Sequence, residues 1–198
     1  MTAIRLATGD DAAAIAGIYR PAVTDLATSF ELVPPDAAEM ARRLAAVLAR
    51  TPWLVCEHGG EVLGYAYGGR HRERPAYQWT VEVSAYVRSD VQRAGVGRGL
   101  YTSLLAALAV QGFRTAVAGI TLPNPASVGL HEAVGFTPIG VYHAIGWKFG
   151  RWHDVAWFER PLGERLPEPA SPRELPAVVG EPAFADALAT GLACLRLA

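Results

Sequence analysis

Apolar and polar residues alternate through Gln78 to Arg88. Val81, Val83, Ala85 and Val87 fall on one side, and Thr80, Glu82, Ser84 and Tyr86 on the other. A period of two predicts a half-buried strand with one glutamate in the middle of its polar face. Thr2 to Ala7 reads as a short first strand. Two more, 53–57 and 61–68, are joined by a tight turn at His58-Gly59-Gly60, where glycine accepts positive φ. Thr115 to Thr121 is apolar and β-branched, which predicts a strand. Phe136 to Phe149 and Val155 to Arg160 are expected as two late strands around a turn at Gly150-Arg151-Trp152-His153-Asp154.

Helical spacing appears between the strands. Ile15, Ile18 and Tyr19 mark a first helix, with Asp10 or Asp11 as the acceptor for its free amides and Pro21 as its bend or break. Thr24 to Val33 reads as an irregular, exposed passage. Asp36 caps a second helix reaching Arg50, with Met40, Leu44, Val47 and Leu48 inward. Leu100, Leu104, Leu105 and Leu108 predict a third, ending near Gln111-Gly112. After the break at Pro123-Asn124-Pro125, Ser127 to Val134 forms a short helix stopped by Gly135. Hairpin-linked strands interleaved with helices predict an α/β (α+β) domain with a mixed sheet and helices on its faces. The texture changes beyond Leu162, and Pro161, Pro167, Pro169, Pro172 and Pro176 make 163–182 a linker or surface strap. Phe184 to Leu197 reads as one apolar helix that docks on the domain or on a partner. The expected organisation is a domain over 1–162 and an appended segment over 163–198.

Composition narrows the class. A hydrophobic fraction of 51% and a charged fraction of 19% describe a globular chain. Lys plus Arg number 18 against 19 Asp plus Glu, a balance that argues against a nucleic-acid partner. Cys56 and Cys194 lie far apart and outside any CxxC or Cys/His spacing, so neither a disulfide framework nor a metal site is expected. The first residues lack a signal-peptide pattern, and no apolar run approaches the roughly 20 residues that cross a bilayer. A cytoplasmic protein with no membrane partner is the expectation.

The segment Gln92-Arg93-Ala94-Gly95-Val96-Gly97-Arg98-Gly99 follows the alternating strand and opens the leucine-rich helix. Glycines let the backbone approach an anion, and a helix start offers unpaired amides and a positive dipole end. A P-loop would need Lys-Ser/Thr after the last glycine, where Leu100-Tyr101 stands. A dinucleotide fingerprint would need glycine at position 100. The remaining pattern, Gln92-x-x-Gly95-x-Gly97, resembles the coenzyme A-binding motif of the GNAT acetyltransferase superfamily. A purely structural glycine turn is the alternative.

The resemblance extends further. Trp79-Thr80-Val81-Glu82, Leu130-His131-Glu132-Ala133, Gly135-Phe136 and Gly150-Arg151-Trp152-His153-Asp154-Val155 look like phosphinothricin acetyltransferases and their methionine sulfoximine or sulfone acetyltransferase relatives. Trp53-Leu54-Val55 and Ala76-Tyr77 fit the same pattern, which runs in register over roughly residues 3–162. It implies a GNAT fold with a mostly antiparallel sheet, acetyl-CoA as cosubstrate without a metal, a homodimer, and a small amine as acceptor.

Carried onto this chain, the resemblance puts acetyl-CoA against the backbone of Ala85, Tyr86 and Val87. It puts the pyrophosphate in the turn Arg93, Ala94, Gly95, Val96, Gly97 and Arg98, and the pantetheine arm beside Asn124. An asparagine after Pro123 is also a ready helix cap, and both roles can hold together. An amine with a pKa of roughly 8 to 10 is mostly protonated at neutral pH, so transfer needs a proton acceptor. Glu82 is the first candidate, directly or through water, against the reading of a solvated strand glutamate. His131 is the second, where many superfamily members carry a tyrosine, against a merely packed histidine. His153 reads as structural. Arg72 and Arg74 are the expected anion grip, since guanidinium forks match carboxylate, phosphinate or sulfone oxygens; a solvated basic loop is the alternative. By resemblance Phe30, Glu31 and Tyr77 line the same pocket. Two rivals remain open at this point: acetylation of another amine, and a coenzyme A-binding protein that has lost catalysis.

Overall fold

The structure is a computed structural model describing residues 1–197. In chain order its strands are β1 (Thr2–Leu6), β2 (Trp53–His58), β3 (Glu61–Arg70), β4 (Thr80–Val87), β5 (Thr115–Thr121), β6 (Thr137–Lys148) and β7 (Arg151–Pro161). Its helices are α1 (Ala12–Thr24), α2 (Ala37–Leu48), α3 (Val96–Gln111), α4 (Pro125–Ala133) and α5 (Pro182–Ala189). The strands form one sheet in the order β1-β2-β3-β4-β5-β7-β6, antiparallel throughout except where β4 meets β5. This is the mixed, mostly antiparallel arrangement expected.

Alternation along the strands sorts the core into two layers. Leu54, Cys56, Ala66, Val81 and Val83 meet Leu100, Leu104, Leu105 and Leu108 of α3 on one face. Trp53, Val55 and Tyr65 meet Ile15, Tyr19, Met40 and Leu44 of α1 and α2 on the other. Burying each large apolar side chain stabilises by about 1.5–3 kcal/mol. The same alternation turns Glu82, Ser84 and Tyr86 toward the α1/α2 side.

Several boundaries differ from expectation for identifiable reasons. Helix α1 runs through Pro21, because Ala22 and Val23 continue the buried stripe of Ile15 and Tyr19 and packing outweighs the one missing hydrogen bond. Asp11 does not cap α1 with its side chain. Its carboxylate turns back to the Thr8 amide (2.7 Å) and to both terminal nitrogens of Arg5 (2.8 Å each). That pairing holds the Asp11 carboxyl below the usual carboxylate range. Asp36 does cap α2, accepting from the Glu39 amide at 2.8 Å. The last hairpin turns at Phe149-Gly150, both at positive φ, so Arg151 to Asp154 belong to β7 and not to the turn.

The segment after Leu162 is a strap with buried anchors. Leu175, Val178, Phe184 and Ala187 pack on Ala107 of α3. The single apolar helix expected over Phe184 to Leu197 instead ends at Ala189, continues as a 3₁₀ turn over Thr190–Cys194, and leaves extended. Close approach explains the break. The backbone of Gly191 lies against that of Gly99, and Ser103 Oγ donates to Leu188 O (2.6 Å) while accepting from Gly191 N (3.1 Å). The strap then reaches the start of α3, where the Arg196 amide donates to Ala94 O at 2.8 Å.

Candidate active site

The site begins with an incomplete ladder. β3 pairs with β4 over Gly64–Arg70 against Val81–Val87, but β4 pairs with β5 only over Thr80–Glu82 against Thr115–Val117. From there β5 continues to Thr121 bonded to β7 alone. The facing edges of Val83–Val87 and Ala118–Thr121 therefore diverge as a fork, leaving β4 main-chain groups without a strand partner on that side. Such groups need a partner, and an extended polyamide chain supplies one.

The glycine turn closes the wide end of the fork. Gly95 caps α3 in the left-handed region (φ 80°), Arg93 also has positive φ (67°), and the first-turn amides of Val96, Gly97 and Arg98 have no carbonyl within the helix to bond. A Cβ on Gly97 would sit 3.0 Å from Leu130 of α4 and 3.6 Å from Val87, so this glycine brings helix start, strand end and α4 into contact. Arg93 and Arg98 are exposed and make no ion pair among the described residues. Asn124 caps α4, its side-chain oxygen accepting from the Ser127 amide at 3.1 Å. Along β4, Ala85 and Val87 pack toward α3, while the Tyr86 ring lies 4.9 Å from that of Tyr19, edge-on.

Glu82 sits where the fork opens. It lies opposite Gly69 in the β3 register, so no side chain covers it there, and its side chain is 40% exposed. Its Oε2 is 3.3 Å from Nδ1 of His71, one residue beyond the end of β3. His71 had no place in the sequence reading. The usable signal is parity, since Tyr67, Gly69 and His71 share a face and Gly69 is the register partner of Glu82.

His131 occupies a different environment. It is 5% exposed, ringed by Tyr101, Phe136 and Phe158. Its Nδ1 lies 2.7 Å from Ser127 O, so that nitrogen carries the proton, and Nε2 accepts from Tyr101 Oη at 3.0 Å. Burial holds the imidazole pKa below its usual value, so the ring is neutral at pH 7. Tyr101, buried and bonded to this ring, also escaped the sequence reading.

Arg72, Arg74 and Tyr77 line one cavity of about 480 Å³, together with Thr51, Gly69, Arg70 and Thr80. The arginines lie in a loop, exposed and without ion pairs among the described residues. Phe30 and Glu31 do not line this cavity. Glu31 accepts from Tyr19 Oη (2.9 Å) and from Arg43 (2.6 and 3.1 Å), which hold its carboxyl below the usual range. Phe30 lies against Gly146 of β6, and its loop is fixed by Lys148 Nζ donating to Leu26 O (3.0 Å) and Ser29 O (2.6 Å). His153 is buried, its Nε2 3.0 Å from Lys148 O.

Comparison with known proteins places this geometry. Residues 4–157 match the family described as the acetyltransferase (GNAT) domain. The chain is 43% identical over 169 residues to phosphinothricin N-acetyltransferase of Streptomyces viridochromogenes, covering 85% of this chain and 91% of that protein. It is 38% identical to L-methionine sulfoximine/L-methionine sulfone acetyltransferase of Salmonella typhimurium, covering 81% and 95%. Among solved structures, a GNAT superfamily phosphinothricin acetyltransferase of Sinorhizobium meliloti in complex with acetyl-CoA aligns with a TM-score of 0.81 and 36% identity, over 85% of this chain and 93% of that one. The residues present fit that ligand, since the fork offers unpaired strand groups and the turn offers free amides beside two arginines. The chain belongs to the GNAT acetyltransferase family, as an acetyl-CoA-dependent N-acetyltransferase.

Proposed function

We propose that this enzyme acetylates the amine of a small, anionic amino-acid analogue of the phosphinothricin or methionine sulfoximine/sulfone type. The observation that carries this reading is the cavity shared by Arg72, Arg74 and Tyr77, beside the central strand that bears Glu82. Two uncommitted guanidinium groups select for carboxylate, phosphinate or sulfone oxygens and against cationic amines. The names of the relatives support the same substrate class.

Acetyl-CoA brings an activated acyl group as a thioester. The turn Arg93–Arg98 binds its diphosphate through main-chain amides, with the arginine charges nearby, and Ala85–Val87 hold the arm along the strand edge. A β4 amide near Val87 polarises the acyl carbonyl. Glu82 draws the proton from the acceptor's ammonium, directly or through an intervening group, and the freed amine attacks. His131, neutral and bonded through both nitrogens, positions α4 with its Asn124 cap beside the arm. Glu31, committed to Arg43 and Tyr19, shapes the loop that carries Phe30. The test is thiol release with acetyl-CoA and a panel of amines. Turnover of phosphinothricin, methionine sulfoximine or methionine sulfone, with polyamines, aminoglycosides and peptide N-termini inert, is the expected result. Preference for a cationic amine overturns the substrate reading, and tight coenzyme binding without any turnover overturns the enzymatic one.

The active unit is a homodimer in the cytoplasm. The support is one apolar surface on β6 and β7, where Ile139, Val141, Ile145, Trp147 and Trp152 are 40–61% exposed. An exposed patch of this kind marks an interaction surface.

A further inference from the structure

We propose that His71 is the proton carrier through which Glu82 acts. The inference rests on the amine-acetylation reading and adds to it a residue that neither the turn nor the arginine cavity contains. Its basis is position. The Arg72/Arg74/Tyr77 cavity does not include Glu82. His71 joins the two, with Nδ1 3.3 Å from Glu82 Oε2 and its ring 6.0 Å from that of Tyr77, edge-on.

The ring is held on three sides. Glu82 of β4 faces one edge, Tyr77 of the following turn packs on a second, and Trp157 of β7 stands edge-on at 5.8 Å. Glu82 and Tyr77 are the titratable groups in direct contact with it; Tyr67, on β3, is the further ionisable neighbour of Glu82. The His71 side chain is only 16% exposed. A carboxylate cannot donate, so the Nδ1–H tautomer is the one that bonds Glu82, and this leaves the Nε2 lone pair available. Nε2 has no hydrogen-bond partner among the described residues, and the buried indole N–H of the adjoining Trp157 also lacks an acceptor there. An imidazole nitrogen left without a partner can take a proton from an incoming acceptor molecule.

The step balances without a co-reactant. The ammonium of an acceptor whose anionic groups the arginines hold gives one proton to Nε2, and the imidazolium so formed is balanced by the Glu82 carboxylate. The freed nitrogen lone pair forms the new C–N bond as the C–S bond breaks. The second nitrogen proton leaves on sulfur as the thiol, and Nε2 later returns its proton to solvent. An imidazole suits this task because it can accept a proton on one nitrogen while the other keeps its bond to Glu82.

The experiment compares His71→Gln with the parent enzyme across pH 7 to 9.5, following kcat/KM for the preferred amine and KM for acetyl-CoA. A general base is worth roughly 10²–10⁴-fold. We expect kcat/KM to fall about 100-fold at pH 7, with KM for acetyl-CoA unchanged. The deficit should shrink at high pH, where the amine loses its proton unaided. A deficit that stays constant with pH, or kcat/KM within about threefold of the parent enzyme at pH 7, overturns the proposal. A second readout needs no turnover. ¹⁵N NMR of the ring should show the Nδ1–H tautomer in the parent protein and its loss in Glu82→Ala, while a dominant Nε2–H tautomer in the parent overturns the pairing. If no amine in the panel is acetylated, the functional reading of the preceding section fails, and the tautomer measurement still decides whether His71 and Glu82 are paired.

Discussion

Burial and two hydrogen bonds set what His131 does at neutral pH. Its pKa is lowered in the fold, so between the folded and unfolded values the unfolded chain binds more protons, and stability falls as pH drops below about 6.5. The slope contributed by one proton is at most about 1.4 kcal/mol per pH unit. Melting temperature should therefore decline between pH 7 and 5.5, and decline less in His131→Asn, as scanning calorimetry at matched ionic strength would record. The arginines make the opposite kind of prediction, about binding and not stability. Each exposed guanidinium that bonds an anionic acceptor contributes about 1.5–3 kcal/mol. Arg72→Ala or Arg74→Ala should raise KM for the amine by about 10- to 100-fold and leave KM for acetyl-CoA unmoved in initial-rate kinetics. Glu82 was legible because a period of two reports its face directly. His71 was not, because its contact depends on which residue of β3 lies opposite Glu82, and a register is a relation between two segments that neither contains alone.

At the level of elements, the pattern served where one face decides the structure. The third helix and the 115–121 strand end where glycine or proline and the loss of periodicity say they should. Asp36 caps α2 as read, and Asp36→Ala should cost about 1 kcal/mol in urea unfolding. Failures occurred where tertiary contact overrides local preference. Pro21 sits inside a helix because its neighbours are buried, and the tail helix breaks at Ala189 because Gly191 must touch Gly99. That contact is testable. A Cβ on Gly99 would lie 2.8 Å from Gly191 O, so Gly99→Val should displace the strap and lower stability by about 1–3 kcal/mol, read as a shift in urea midpoint.

Across the whole molecule, the hairpin at 53–68 and the interleaved helices were enough to anticipate a mixed sheet. The strand order and the early divergence of β4 from β5 were not, since a parallel pair leaves no mark of its length in either strand. The exposed β6/β7 surface belongs to this scale as well. If it joins two copies, Ile145→Glu should convert a dimer to a monomer in light scattering after size exclusion, whereas an unchanged mass would send the search for its partner elsewhere.

The short β4–β5 pairing carries one more consequence. Only three residue pairs stitch the two halves of the sheet, so whatever lies in the gap also acts as a missing rung. Saturating coenzyme A at about 100 times its dissociation constant would add about 2.7 kcal/mol to global stability. Amide exchange over 83–87 should slow with it, so heat resistance in this enzyme becomes a reading of how much coenzyme surrounds it.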